Sequence, residues 1–314
     1  MNLQRWLAPV PPSVAVEIAA RRVTVVEVAS PSGAVSAYAG EGLPEGVVTP
    51  AVAGPNIVQP DVVAGALKRS LERAGLDAVR RAALIVPDSS ARVSLLTFDQ
   101  IPARPQELDA LVRWQLRKAT PYPIEDAVVS QVPASTIDGR VTIAAVVARR
   151  DVVTQYEQVL ASLGIHAGIV DLASFNVINA VLAAGGSADG DSLIVHVAPE
   201  ATTLAILRGD ALLFYRHRAH SDDEPLGSLV HQTTMFHEDR LGGGGFRRVW
   251  LSGAGPRIEQ ARREIATRTD APVEPVDVRP AAAVEGLGRP SPDVLDALAA
   301  PVGMLLRDRV GAGG

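Results

Sequence analysis

Three places in the sequence bring together side chains that could do chemistry, and each suggests a different kind. His217 and His220, followed by Asp222, Asp223 and Glu224, offer the imidazole and carboxylate ligands that zinc takes. Nothing else in the chain completes a zinc spacing, and the acidic run directly precedes an apolar-periodic segment, where it caps a helix and favours its dipole. His231 and His237 stand six apart on that segment, so they do not share a helix face as i, i+4 ligands do. Asp88-Ser89-Ser90 sets a hydroxyl beside an acid, but without a G-x-S-x-G elbow or a positioned histidine it reads as a polar turn. The four glycines at 242–245 could approach a phosphate, yet no Lys-Ser/Thr follows as in a P-loop, so they read as a flexible connection. Arginines are scattered with almost no aromatics interleaved, which argues against nucleic-acid binding.

The composition narrows the classes further. Of 314 residues 47% are hydrophobic, enough for about two domains of ordinary size. A net charge of -5 argues against a chain that grips nucleic acid or anionic lipid. Cysteine is absent, which removes disulfides, Cys-ligated zinc, iron–sulfur clusters and thiol nucleophiles, and is compatible with a reducing compartment. No window reaches the roughly 18 consecutive apolar residues of a membrane span. The nearest, 165–184, is interrupted by His166, Asp171, Ser174, Asn176 and Asn179. The first twelve residues lack the apolar core of a signal peptide, and Leu3, Trp6 and Leu7 form either one apolar helical turn or a frayed arm. A globular, intracellular chain is expected.

The elements that must position these residues follow from periodicity. Residues 14–28 read as two β-runs around a turn at 19–22, 30–33 is a turn, and 34–39 is a third strand. Asp61 can cap a helix closed by Gly75, and 82–87 is a buried strand. A second unit follows: a strand at 93–98 and a helix opened by Pro105 and stopped by Pro121 and Pro123. Two strands then flank a turn at 137–140, before a helix capped by Asp151, a strand at 167–170 and an apolar helix at 172–182. After a glycine-rich linker at 185–191 the early pattern returns, with three strands, a helix through Leu229 and Val230, a strand at 247–253 and a helix through Ala261. A final helical segment, 293–309, is interrupted by Pro301. Each half therefore opens β-β-β-α-β, without obvious sequence identity between the halves.

This duplicated unit is the layout of the actin-like ATPase fold, and six segments sharpen the likeness. They are VAVEIAARRVTVVEV (14–28), LIVPDSSARVSLLTFDQI (84–101), ELDALVRWQLRKATPYPIEDAVVS (107–130), HVAPEATTLAILRGDALLFYR (196–216), VWLSGAGP (249–256) and APVGMLLR (300–307). In that order the chain resembles the type IV pilus assembly PilM family and, more distantly, the actin-like cytoplasmic part of type II secretion GspL. The third segment is the most specific match. The resemblance implies an α/β, duplicated actin/Hsp70-like ATPase fold. Its first lobe is 1–184, with a core at 13–90 and an inserted 1C-type subdomain at 91–166. Its second lobe is 185–314, with the final helix packing back on the first.

In that fold two hairpins clamp nucleotide phosphates, each headed by an Asp that orients Mg²⁺ and followed by a Gly that lets the backbone approach. Here Glu17 and Ala19 stand at the first hairpin, and His196, Ala198 and Pro199 at the second; proline has no N–H to donate. The resemblance assigns Glu17, Arg21, Arg22, Thr202, Gly253 and Gly255 to ATP/Mg²⁺ if nucleotide binding is retained, and implies a pseudo-ATPase with no catalytic or metal residues. The alternative is an active ATPase or sugar kinase, which needs Glu17 and His196 to support Mg·ATP. A GspL-type subunit would continue into a transmembrane helix, whereas this sequence ends at GAGG. By resemblance the partner is a PilN-like inner-membrane protein, whose cytoplasmic N-terminal peptide binds between subdomains 1A and 1C. Arg92, Leu95, Phe98, Pro121, Tyr122 and Pro123 are expected to wall that groove. A homo-oligomeric ring and a cytoplasmic location, peripheral to the inner membrane through the partner, are implied as well.

Overall fold

The computed structural model describes residues 12–29, 32–186, 190–284 and 290–310. The arm carrying Leu3, Trp6 and Leu7, positions 30 and 31 of the first turn, positions 187–189 of the linker and the terminal GAGG lie outside them. The chain runs β1 (Val14–Ile18), β2 (Arg22–Val28), β3 (Val35–Gly42), α1 (Pro60–Ala74), β4 (Arg81–Val86), β5 (Ala91–Phe98), α2 (Pro105–Leu116), β6 (Ala127–Ile137), β7 (Arg140–Arg149), α3 (Arg150–Ser162), β8 (His166–Leu172) and α4 (Ala173–Ala183). It continues with β9 (Asp191–Val197), β10 (Ala201–Arg208), β11 (Ala211–Ala219), α5 (Leu226–Leu241), β12 (Arg248–Gly253), α6 (Ile258–Thr269), β13 (Val273–Pro275) and α7 (Pro292–Val310).

Two five-stranded sheets have the same plan, β3-β2-β1-β4-β8 and β11-β10-β9-β12-β13. In each, an antiparallel three-strand meander is extended by parallel strands beside its first strand. That central strand is covered on both faces, so β1 and β9 are near-continuous apolar runs rather than alternating ones. A three-stranded sheet, β5-β7-β6, is inserted between β4 and β8, with α2 and α3 around it. The β6–β7 turn is two residues long, and Asp138 and Gly139 both have positive φ (51° and 77°), as a tight hairpin that follows the strand twist requires.

Helices α4 and α7 pack between the two large sheets; α7 touches β1, β2 and β4 of the first and β12 of the second. Their axes approach so closely that a Cβ on Gly303 would lie 1.8 Å from the Asn176 carbonyl oxygen. This packing carries α7 through Pro301 without interruption, contrary to the sequence expectation. Tertiary burial on both sides of Pro301 outweighs the lost backbone bond.

Three local expectations are corrected in the same way. Asp61 and Asp151 lie inside the first turns of α1 and α3 and make no cap hydrogen bond, because the helices begin earlier, at Pro60 and Arg150. The acidic run 222–224 does not cap α5 either. The Glu264 carboxylate from α6 accepts the Gly227 N–H at 2.7 Å instead. The glycines at 242–245 are a built corner: Gly242 ends α5 in the left-handed conformation, and a Cβ on Gly243 would fall 2.0 Å from the His237 ring.

Candidate functional site

The β1–β2 and β9–β10 hairpins face each other across a cleft of about 570 Å³. Each tip is closed by one backbone bond, from Ala19 N–H to Arg22 O and from Ala198 N–H to Ala201 O, both 2.9 Å. The cleft brings together Glu17, Arg21 and Arg22 from the first tip, His196, Pro199 and Glu200 from the second, and the turn holding Gly253 and Gly255. Thr202 is not among them. It borders an adjoining cavity of about 510 Å³, where its hydroxyl lies 3.1 Å from His220 Nε2. Asp88 and Asp296 complete the cleft and were not anticipated as part of it.

The cleft's polar groups are engaged with one another. Glu17 is buried, and burial raises its carboxyl pKa even though the Arg22 guanidinium, 3.7 Å away, favours the charged form. Burial also raises the pKa of the Glu200 carboxyl. Asp296 Oδ1 accepts the Gly253 N–H at 2.6 Å and the Ser252 hydroxyl at 3.1 Å, and Ser252 Oγ lies 3.4 Å from His196 Nδ1. Gly253 is required where it stands: its φ is +81°, and a Cβ would meet the Val197 carbonyl oxygen at 2.1 Å.

Behind the cleft, a buried network centres on Asp88. Oδ1 accepts the Ser174 N–H (3.1 Å) and hydroxyl (2.9 Å), and Oδ2 accepts the Thr203 hydroxyl (2.8 Å). The Thr203 proton is thereby committed, so His217 Nδ1, 2.9 Å away, carries the proton it donates to Thr203 Oγ1. His217 Nε2 then accepts from the Ser89 hydroxyl at 3.1 Å. Burial lowers the His217 pKa, which favours this neutral form. A histidine is therefore positioned beside Ser89, contrary to the sequence reading of that turn. Ser89 nonetheless lines none of the three cavities described here, and the relay joins the two large sheets. Among the described residues no group of three or more His, Asp or Glu side chains is arranged to hold a metal ion, so His217, His220 and the acids at 222–224 form no such site.

A second large cavity, a groove of about 540 Å³, lies between the small sheet and the first large one. Val128, Ser130 and Val132 border it from β6, an edge strand of its sheet, and Val170 and Leu172 from β8, an edge strand of the other. Val128 and Val132 are exposed large apolar side chains. Polar character comes from Asp171, whose pKa burial raises, and from Gln131, whose Oε1 has no hydrogen-bond partner among the described residues. Arg92, Leu95, Phe98, Pro121, Tyr122 and Pro123 do not line this groove. Leu95 packs against the central core, and Phe98 and Tyr122 against the core of the small sheet. Pro121 and Pro123 are exposed, and Arg92 lies near Tyr122, whose pKa burial raises.

No helix among the described residues is long and apolar enough to cross a membrane. Among curated proteins none matches this sequence. Solved structures do. The structure of a PilM-PilN type IV pilus biogenesis complex aligns at a TM-score of 0.82 and 19% identity, over 95% of this chain and 99% of that one. A Bacteroides thetaiotaomicron protein with actin-like ATPase fold aligns at 0.51 and 9% identity, over 91% and 94%. The ethanolamine utilization protein EutJ from Carboxydothermus hydrogenoformans aligns at 0.50 and 10% identity, over 97% and 94%. These likenesses identify the architecture as the actin-like ATPase fold. The family model for the type IV pilus assembly protein PilM matches residues 15–239, which include both hairpins, the inserted small sheet and the groove. The chain belongs to the type IV pilus assembly PilM family.

Proposed function

We propose that this chain is a scaffold of the type IV pilus assembly platform that binds the cytoplasmic N-terminal peptide of a PilN-like inner-membrane protein and does not hydrolyse ATP. The observation that carries the peptide site is the groove between β6 and β8, where two edge strands and exposed Val128 and Val132 border one cavity. An extended peptide there can add main-chain hydrogen bonds to a strand edge and seat alternate apolar side chains, which needs no chemistry. On this proposal the peptide lies against β6, β7 and β8, beside Ala91 at the start of β5 and away from Arg92, Leu95, Phe98 and the 121–123 turn. The likeness to a PilM-PilN type IV pilus biogenesis complex supports the choice of partner. On this reading the protein is cytoplasmic, and it meets the membrane through its partner.

The cleft residues do not fit Mg·ATP. Mg²⁺ demands hard oxygen ligands, whereas Glu17 is buried and already paired with Arg22, and an imidazole stands at His196 where the resemblance expects a second carboxylate. The Gly253 amide already bonds Asp296, and Pro199 has no amide hydrogen. Titration of the full chain by calorimetry separates the readings. The scaffold reading expects binding of a synthetic partner peptide with no release of phosphate from Mg·ATP. Micromolar Mg·ATP binding with turnover would establish the enzyme instead, and absence of peptide binding with and without ATP would remove the scaffold reading.

A further inference from the structure

Helix α4 is a partition between cleft and groove. Ala173 and Val177, four residues apart, face the cleft, whereas Phe175 and Asn179, also four apart, face the groove. The turn after β4 is divided the same way. Pro87 and Asp88 border the cleft, and Ser90 borders the groove, where its hydroxyl lies 3.1 Å from Tyr156 Oη on the same wall.

The second large sheet grips both parts of this partition. From β10, Thr203 donates to Asp88 Oδ2 at 2.8 Å. From β11, the Tyr215 hydroxyl lies 2.8 Å from Ser174 Oγ, and the Tyr215 ring stacks on Phe175 with centroids 5.4 Å apart. Ser174 in turn gives both its N–H and its hydroxyl to Asp88. These contacts from β11 thus end on Phe175, which lines the groove, and on its neighbour Ser174, while the β10 contact ends on Asp88, in the turn between groove-lining Val86 and Ser90. The bonds are buried and centre on a carboxylate, so losing one partner exposes the rest to a full desolvation penalty.

Resting on the peptide-groove reading above, we propose that this Asp88-centred clamp makes the second sheet a positioning element of the groove, holding α4 and the 87–90 turn in the arrangement that accepts the peptide. The two sheets are then coupled without any ligand in the cleft, and loosening the clamp lowers peptide affinity from a distance.

Thr203→Val is nearly isosteric and removes the hydroxyl, Thr203→Ser restores it, and Tyr215→Phe removes a hydroxyl while keeping the stacked ring. The full chain and each variant are titrated with a fluorescein-labelled synthetic peptide of the partner's cytoplasmic N-terminus. Amide hydrogen exchange is followed at 128–132 and 169–172. Thr203→Val and Tyr215→Phe are expected to weaken binding about fivefold or more, within the usual range of coupling between sites, and to speed exchange in both segments. Thr203→Ser is expected to match the wild type on both measures. Unchanged exchange at both segments overturns the clamp whatever the peptide does, as does wild-type peptide affinity in Thr203→Val. If the wild-type chain binds no peptide while Thr203→Val still speeds exchange at the groove, the peptide reading fails and the clamp stands.

Discussion

Val132→Asp is the sharpest probe of the groove. Val132 sits on edge strand β6 at 53% exposure, so the substitution removes little from the fold itself, while a seated peptide covers the exposed half. Burying a whole valine side chain is worth roughly 2 kcal/mol, so that half contributes about 1 kcal/mol to binding. Placing a carboxylate under the peptide without a partner costs a further 1–3 kcal/mol or so. The sum, about 2–4 kcal/mol, predicts a peptide affinity lower by roughly 30- to 1000-fold. Fluorescence anisotropy with the labelled peptide reads this directly. Trp114→Ala is the matched control, because Trp114 is 64% exposed on α2 and does not border the groove; it should bind within about twofold of wild type. A Val132→Asp protein that melts like wild type and binds within about threefold would refute the groove assignment.

Three further outcomes are expected. Gly253→Ala should lower stability by about 2 kcal/mol or more, from left-handed strain and collision with the Val197 carbonyl, seen as an earlier midpoint in urea. Hydrogen bonds from Arg208, and then from His237, hold the Asp191 carboxyl below its usual 3.8, so its contribution is present above that value and is lost as pH falls through the lowered pKa. Asp191→Asn should therefore cost about 1–3 kcal/mol at pH 7, limited by the exposed Arg208 head, and lose nothing further from this site on acidification; an unchanged acid limb would contradict this. Glu17 behaves oppositely, because burial raises its pKa: its stabilising contribution is present below the usual 4.5 and is lost as pH rises. The stability of Glu17→Gln relative to wild type should accordingly increase from pH 5 to pH 8 in thermal melts, and a constant difference would count against the buried-carboxylate account.

Much of the fold is written locally, and the site is not. The repeated meander was legible because β1 and β9 are predominantly apolar runs, interrupted by Glu17 in one and by Asp191, Ser192 and His196 in the other, each followed by a tight turn. Helix caps were misplaced by two residues, at Asp61 and Asp151 instead of Gln59 and Arg149, where no side-chain cap bond begins the helix. Pro301 misled because the packing that overrides it comes from α4, more than a hundred residues earlier. The relay from Ser89 to His217 spans 128 positions and the bond from Thr203 to Asp88 spans 115, so no spacing rule could pair them. The groove between β6 and β8 was not anticipated, whereas the partner wall expected around Arg92–Phe98 and 121–123 rested on the family resemblance. Which edge of the small sheet faces the large one depends on the order β5-β7-β6, and alternation along a strand carries no information about its neighbours.

The altered residues at the cleft bear on how an actin-like fold could stop needing a nucleotide. Removing a phosphate ligand from a backbone cradle leaves buried amides without acceptors, at about 1–3 kcal/mol each. Substituting alanine for glycine at 19 and 198 does nothing to repair that loss. Here the repair comes from elsewhere in the chain. Asp296, on the C-terminal helix, supplies an acceptor to Gly253. The guanidinium of Arg22 stands beside Glu17, where a cation would otherwise neutralise it. A carboxylate thus takes an acceptor position and arginine a cationic one, and the Asp88 network ties the sheets together behind them. On the scaffold reading, a cleft in which Asp296 already occupies the Gly253 amide has less to gain from Mg·ATP than an open cradle. On the same reading, binding energy for a partner comes from the groove, where the apolar side chains of Val128 and Val132 remain exposed.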